Sequence, residues 1–185
     1  FQQSFNRPNL YYEVAQKKGG IEKTADFIHD WIIAHKYKNK TGLIFCLSIN
    51  DTEDLCGSLQ QRGHQAGFYH AKMSANERTR IQKRWTTGEI KIIVATNAFG
   101  MGIDKANVRF VIHHTMPKSL EEYYQESGRG GRDGYLAHCL LMFSLSDFTR
   151  VINLITNTEQ GVYKSKARLD IERKLLSEMT EYAKD

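Results

Sequence analysis

Between residues 40 and 155, short apolar runs alternate with stretches whose apolar positions recur at helical spacing. The runs Gly42–Ser48 (GLIFCLS), Ala66–Tyr69, Lys91–Thr96 (KIIVAT), Val108–His114 (VRFVIHH) and Ala137–Ser144 (AHCLLMFS) are rich in β-branched and aromatic side chains, which predicts buried strands. Helix starts lie between them. Asn50-Asp51-Thr52-Glu53, Ser74-Ala75-Asn76-Glu77 and Ser119-Leu120-Glu121-Glu122 each place a capping oxygen three residues before a glutamate, the arrangement of a capping box. An earlier helix, Ile21 to His35, follows a short extended segment at Asn9 to Val14. A last helix is predicted from Val162 to Ala183, with Ile171, Leu175, Met179 and Tyr182 along one stripe and charged residues elsewhere. It either packs on its own domain or begins a second one.

Strands alternating with helices predict an α/β fold of three layers, α/β/α, with a central, mainly parallel sheet. The expected division is a lobe over residues 1–160 and a helical extension over 161–185. Ligands in such folds sit beyond the carboxyl ends of the strands. Chemistry is therefore expected in the loops after Ser48, Tyr69 and Thr96, and in the turn Gly128 to Gly134.

Composition narrows the classes. A hydrophobic content of 41% with only two prolines excludes a disordered or collagen-like chain. The net charge of +5 permits a polyanionic partner, and because basic residues are spread through the chain, the surface that meets it must be assembled by folding. The sequence has no run of eighteen apolar residues and no signal-peptide pattern, so neither a membrane span nor a membrane partner is expected. Cys46, Cys56 and Cys139 are far apart within apolar segments and read as reduced core residues of an intracellular protein. The neighbours His113 and His114 face opposite sides of a strand, so they cannot share a metal, and no metal site is expected.

Two segments carry chemistry. In Gln125-Glu126-Ser127-Gly128-Arg129-Gly130-Gly131-Arg132-Asp133-Gly134, glycines allow close backbone approach while two permanently charged guanidinium forks stand three residues apart. This suits a phosphate grip, although a solvated turn or an Arg-Gly-Gly segment for single-stranded RNA has the same composition. Ala95-Thr96-Asn97-Ala98-Phe99-Gly100-Met101-Gly102-Ile103-Asp104-Lys105 sets two glycines before a carboxylate. That carboxylate suits a ribose, an arginine needing orientation, or the capping of a turn.

In order and spacing, AT-x-AFGMGIDK, VRFVIHH and SLEEYYQESGR-x-GRDG resemble motifs V and VI of the RecQ family of superfamily 2 DNA helicases. Phe5 to Leu10 (FNRPNL) resembles the family's lead into its second motor lobe and Leu43 to Leu59 its motif IV. Tyr69 to Met73, with Arg78 and Trp85, resembles the block that follows. The wording most resembles the Bloom-type, eukaryotic branch. The resemblance implies the C-terminal RecA-like lobe of an ATP-dependent 3′ to 5′ DNA helicase of repair and recombination, working in the nucleus. It makes Arg132 the arginine finger, Arg129 its partner in coupling hydrolysis to lobe closure, and Gln125, Gly102 and Asp104 residues of the nucleotide side. It lays Ser48, His70, Thr96 and Asn97 along the backbone of single-stranded DNA near a duplex junction.

The chain has no Gly-x-x-x-x-Gly-Lys-Ser/Thr, and Gly19-Gly20-Ile21-Glu22-Lys23-Thr24 lacks the glycine before its lysine. The resemblance therefore implies that ATP with Mg2+ is held mainly by an N-terminal RecA-like lobe, that this segment alone does not turn over ATP, and that zinc belongs to a domain following the last helix. Two departures stand out. Ser48-Ile49 replaces the usual Ser-Arg, removing a basic contact, and Gly130 replaces the usual alanine, which loosens the turn by up to roughly 1 kcal/mol. Another superfamily 2 lobe acting on RNA, or a stand-alone nucleic-acid-binding module, fits the same residues less completely.

Overall fold

The structure is a computed structural model and describes residues 6–96, 104–157 and 164–185. The elements are β1 (Leu10–Gln16), α1 (Ile21–Ala34), β2 (Thr41–Phe45), α2 (Ile49–Gln61), β3 (Ala66–Tyr69), α3 (Ala75–Thr86), β4 (Ile92–Ala95), β5 (Val108–His113), α4 (Leu120–Ser127), β6 (Ala137–Phe143), α5 (Leu145–Thr156) and α6 (Lys166–Lys184). The strands form one sheet in the order β1-β6-β5-β2-β4-β3, and every pairing is parallel. The extended segment expected at Asn9 to Val14 is the edge strand β1, paired along its whole length with β6.

Alternation of side chains puts the two halves of each strand on opposite faces. Ile44, Phe110, Ile112, Leu140 and Met142 join Ile28, Trp31 and Ile32 of α1 and Leu55 and Leu59 of α2 in one core. On the opposite face, Leu43, Phe45, Ile93 and Val111 pack with Trp85 of α3, and Leu141 packs with α4, α5 and α6. Burying each such aliphatic or aromatic side chain contributes roughly 1.5–3 kcal/mol, so both faces must be covered for the sheet to hold. Gly42 of β2 is a packing requirement, because a Cβ there would lie 2.0 Å from the Phe110 ring.

The caps differ from expectation in detail. Ser74 and Glu77 form the full reciprocal box at the start of α3. At α4, the Ser119 side chain accepts from the Glu122 amide, while the Glu122 carboxylate accepts from the Lys118 amide instead of closing back on Ser119. For α2 the expected Asn50 to Glu53 box does not form; Ser48 is the cap, accepting from the Asp51 amide. The helix starts two residues early because the chain has already turned at the end of β2, which frees Glu53 for another partner.

The expected stripe on the last helix is corrected in part: Met179 is buried and Tyr182 packs against the same core, as expected. Ile171 and Leu175 are exposed, whereas Leu176, Met179, Thr180 and Ala183 are the buried residues. The helix is rotated so that this ridge meets Met116, Tyr123, Val151 and Ile155 in the lobe's own core. The start expected at Val162 lies outside the described residues; Ser165 caps the helix that is described.

Candidate functional site

The predicted site residues that the structure describes fall on two opposite edges of the sheet. Because every strand runs the same way, the segments after β2, β3 and β4 share the carboxyl edge, and these strands are neighbours. Phe45 and Tyr69 both register on Ala95, so the positions that follow them come together. Ser48, His70 and Thr96 lie here, while Asn97 lies outside the described residues.

These three do not present themselves equally. Ser48 is half-buried, and its oxygen is engaged by the α2 cap. His70 is 4% exposed, and its Nε2 is 2.7 Å from Glu53 Oε1, so it ties the tip of β3 to α2. Thr96 is buried, its amide donating to the Tyr69 carbonyl. His70 and Thr96 thus shape the edge more than they offer side chains to a ligand.

A polar cluster not anticipated from sequence stands at the same edge, under the tips of β1, β5 and β6. Lys17 pairs with Asp147 and donates to the His114 carbonyl at 2.7 Å, and Arg150 pairs with Asp51 at 2.6 Å. Burial, then the Lys17 charge, holds the His114 imidazole far below its usual range. Burial pushes Asp51 upward, but the Arg150 hydrogen bond and charge more than offset it, leaving its carboxyl below the ordinary value. These residues are scattered over 134 positions, Lys17 to Arg150, so no local pattern announces them.

The arginine turn occupies the other edge, which corrects the expectation that it joins the carboxyl-end loops. It follows α4, the crossover that carries the chain back to the amino ends of β5 and β6. The Gly131 amide donates to the Val108 carbonyl, and the Asp133 amide to the Ala106 carbonyl. Arg132 Nη1 lies 2.8 Å from Asp104 Oδ1, with the arginine side chain 38% and the aspartate side chain 74% exposed. Of the three readings left open for Asp104, orientation of an arginine is the one its contact matches.

Arg129 is half-buried, and burial, then the neighbouring Arg132, pushes its guanidinium below its ordinary value. Gln125 is exposed on the last turns of α4, lining a groove of about 790 Å3 with Asn6, Arg7, Pro8, Tyr12 and Tyr124. Gly102 lies outside the described residues.

Arg7 was not singled out as an individual residue, yet it holds the turn. Its Nη1 donates to the Gly128 carbonyl at 3.1 Å, and its Nη2 to those of Gly130 and Gly131 at 2.9 Å each. Asn9 donates to the Gly131 and Tyr135 carbonyls at 2.7 and 2.9 Å. Arg109 closes the far side on Asp133 Oδ1 at 2.5 Å.

Gly131 has φ +55, and a Cβ there would lie 2.6 Å from Asn9 Nδ2 and 2.7 Å from the Tyr135 carbonyl oxygen, so this glycine is required. At Gly130 a Cβ would meet Ala137 Cβ at 3.3 Å, tight contact in a buried position. The expected loosening is therefore opposed by packing, because Gly130 is buried and its neighbours are tied down by Arg7.

Chemically, the amino edge offers an exposed guanidinium in a rigid backbone cradle, with a second one half-buried beside it. Two guanidiniums and one exposed carboxylate partner suit a polyphosphate such as ATP with Mg2+. The described residues contain no group of three or more His, Cys, Asp or Glu able to hold a metal ion, and their three cysteines are buried and unpaired. Zinc thus finds no fitting donor set among them. No described helix is long and apolar enough to cross a membrane.

Comparison with known proteins agrees with this architecture. The chain is 49% identical over 166 residues to ATP-dependent DNA helicase Q1 of Rattus norvegicus, covering 89% of this chain and 26% of that protein. It is 43% identical over 183 residues to ATP-dependent DNA helicase hus2/rqh1 of Schizosaccharomyces pombe, covering 98% of this chain and 13% of that protein. The chain thus spans about a quarter or less of the length of these relatives. The solved complex of S. cerevisiae dbp5 with gle1 and ip6 shares the fold, with a TM-score of 0.66 and 18% identity over 91% of this chain and 46% of that one. The family model for the helicase conserved C-terminal domain matches residues 22–134, more than half of the chain, and the chain belongs to that family.

Proposed function

We propose that this chain is the C-terminal motor lobe of a RecQ-type, ATP-dependent 3′ to 5′ DNA helicase and supplies the arginine finger, Arg132, to an ATP site between two lobes. The observation that carries the reading is the state of Arg132. It is exposed on a backbone clamped by Arg7, and the partner it holds is a carboxylate more exposed than itself. An ion pair of that exposure is worth only about 0–1 kcal/mol, so a phosphate can displace Asp104 at little cost. A guanidinium meeting charge that develops in the transition state accelerates phosphoryl transfer by roughly 10³ to 10⁵.

ATP with Mg2+, held mainly by an N-terminal RecA-like lobe, supplies the phosphoryl group and its counter-charge. Arg132 neutralises that group from the opposite side, Arg129 links its engagement to lobe closure, and Gln125, Asp104 and Gly102 complete the nucleotide-facing surface. At the carboxyl edge Ser48, on a surface shaped by His70 and Thr96, receives the single-stranded DNA backbone, and Asn97 shares that role. Contacts of this kind follow phosphates and carry no sequence information. Separate edges for fuel and track let one lobe grip DNA while answering to nucleotide. The helix α6, packed on this lobe, leads toward a following zinc-binding domain, and the Bloom-type wording of the motifs supports a role in nuclear DNA repair.

The test is Arg132→Lys in the full-length enzyme. Lysine keeps the charge but not the planar fork, so ATP turnover should fall by about 10³ or more while ATP binding changes little. An unaltered turnover number would remove the finger from Arg132 and the proposal with it.

A further inference from the structure

The helix α4 spans the distance between the two edges, starting beyond the carboxyl tip of β5 and ending in the arginine turn. Beneath it sits His113, the last residue of β5, 1% exposed and flanked by the rings of Phe45 at 5.3 Å and Tyr123 at 5.0 Å. Neither of its ring nitrogens has a hydrogen-bond partner among the described residues. Buried polar groups without partners are rare and costly, so an imidazole in this state calls for an explanation. A leucine or phenylalanine would fill the same space at no such cost.

The groups facing the imidazole are carboxylates of α4. Glu126 Oε1 stands 3.7 Å from His113 Nε2, just beyond hydrogen-bonding reach, and Glu122 lies one helical turn earlier. A cleft of about 40 Å3 opens beside them, lined by Phe45, Leu47, His113, Lys118, Glu122 and Glu126. This is polar and roomy enough for an ordered water. The cleft lies at the carboxyl edge and connects to the other edge through α4: Leu47 immediately precedes Ser48, while Glu126 lies one turn before Arg129 and acts on its charge. The Ser127 hydroxyl, next on the same helix, also lacks a partner among the described residues. A shift of about 1 Å in α4 or in the Phe45 to Ser48 segment is enough to make or break the bond between His113 and Glu126.

We propose that His113 is a positioning residue that couples the edges: its bond to Glu126, direct or through one water in the cleft, fixes α4 in the pose that presents Arg129 and Arg132 when DNA engages the Phe45 to Ser48 segment. This rests on the motor-lobe reading above. The histidine touches neither DNA nor nucleotide; it acts through the helix.

The experiment uses the full-length enzyme and compares ATP turnover with and without saturating single-stranded DNA, alongside KM for ATP and Kd for DNA. His113→Phe keeps a ring between Phe45 and Tyr123 but removes both nitrogens. DNA-stimulated turnover should fall about tenfold, while DNA-independent turnover, KM and Kd stay within about twofold. His113→Gln, whose amide reaches the position of Nε2, should restore most of the stimulation. Wild-type stimulation in His113→Phe overturns the proposal, as does equal loss in both variants, which would mark a packing role. If thermal melting shows His113→Phe unfolded, Glu126→Gln decides by the same ratio, and unchanged stimulation there overturns it. Arg132→Lys runs in parallel: retained turnover in that variant overturns the motor reading itself, whereas its loss beside an unaffected His113→Phe overturns only the coupling.

Discussion

A single side chain near the start of the chain governs the arginine turn. Arg7 satisfies three carbonyls of a loop that has little side-chain packing of its own, and each of these bonds has a charged donor. Hydrogen bonds of that kind are worth about 1.5–3 kcal/mol apiece, with partial compensation by water when they are lost. Arg7→Ala should therefore lower stability by roughly 2–3 kcal/mol in urea unfolding, and in the full-length enzyme it should reduce ATP turnover as the turn loosens. A shift below about 0.5 kcal/mol would show that water replaces Arg7 without loss. The sequence displayed Arg7 within a recognisable hexapeptide but could not display its partners, which lie more than 120 positions away. Gly131 was readable as a flexible position, while the contacts with Asn9 and Tyr135 that make it obligatory belong to the folded chain.

Among the elements, α3 and α2 show how far local chemistry reaches. The Ser74 and Glu77 box is entirely local, its two partners three residues apart, and it forms as written. Ser74→Ala should cost about 1 kcal/mol, read as a lower urea midpoint with an unchanged slope. Glu77 belongs to the same unit, since the Ser74 backbone and hydroxyl hold its carboxyl below the ordinary value. Asn50→Ala, by contrast, should change the unfolding free energy by less than about 0.5 kcal/mol, because the cap of α2 is Ser48. The same local text, an oxygen three residues before a glutamate, thus gave one cap and missed another. What separates them is where the preceding strand ends, and β2 stops at Phe45, short of Ser48, because its pairing with β4 and β5 ends there. On α6 the period was right, Met179 and Tyr182 face the core as expected, and Leu176, Thr180 and Ala183 take the inward places expected of Ile171 and Leu175. Helical spacing fixes which residues share a stripe, but only the neighbouring core decides which stripe faces inward.

At the scale of the molecule, buried histidines set the response to pH. Burial, the largest influence on His64, His114 and His138, holds each imidazole below its usual range. The unfolded chain then binds more protons, so their contribution is complete above about pH 6.5 and is lost as pH falls below it. The lowered carboxyls of Asp51 and Glu172 add to the loss at more acid pH, and the raised Glu122 opposes it. The melting temperature should therefore fall progressively from about pH 6.5 downward, and a flat profile between roughly pH 7 and pH 5 would contradict the burial seen here. The strands, the helices other than α5, the parallel three-layer plan and the inventory of guanidiniums and glycines were determined by the sequence itself, because periodicity, capping and turn chemistry act over a few residues; α5 (Leu145–Thr156) is a helix that the sequence reading did not mark. The opposite placement of the arginine turn was implicit in the β5-α4-β6 order, since a crossover helix returns the chain to the amino ends, but it went unread when the turn was grouped with the strand-tip loops. The tertiary structure alone decided that His70 and Thr96 are buried, that Arg7 clamps the turn, and that His113 lies under α4 with Glu126 3.7 Å away and no hydrogen bond to either ring nitrogen among the described residues. Those facts depend on contacts between residues far apart in the chain, and no local rule encodes such distances.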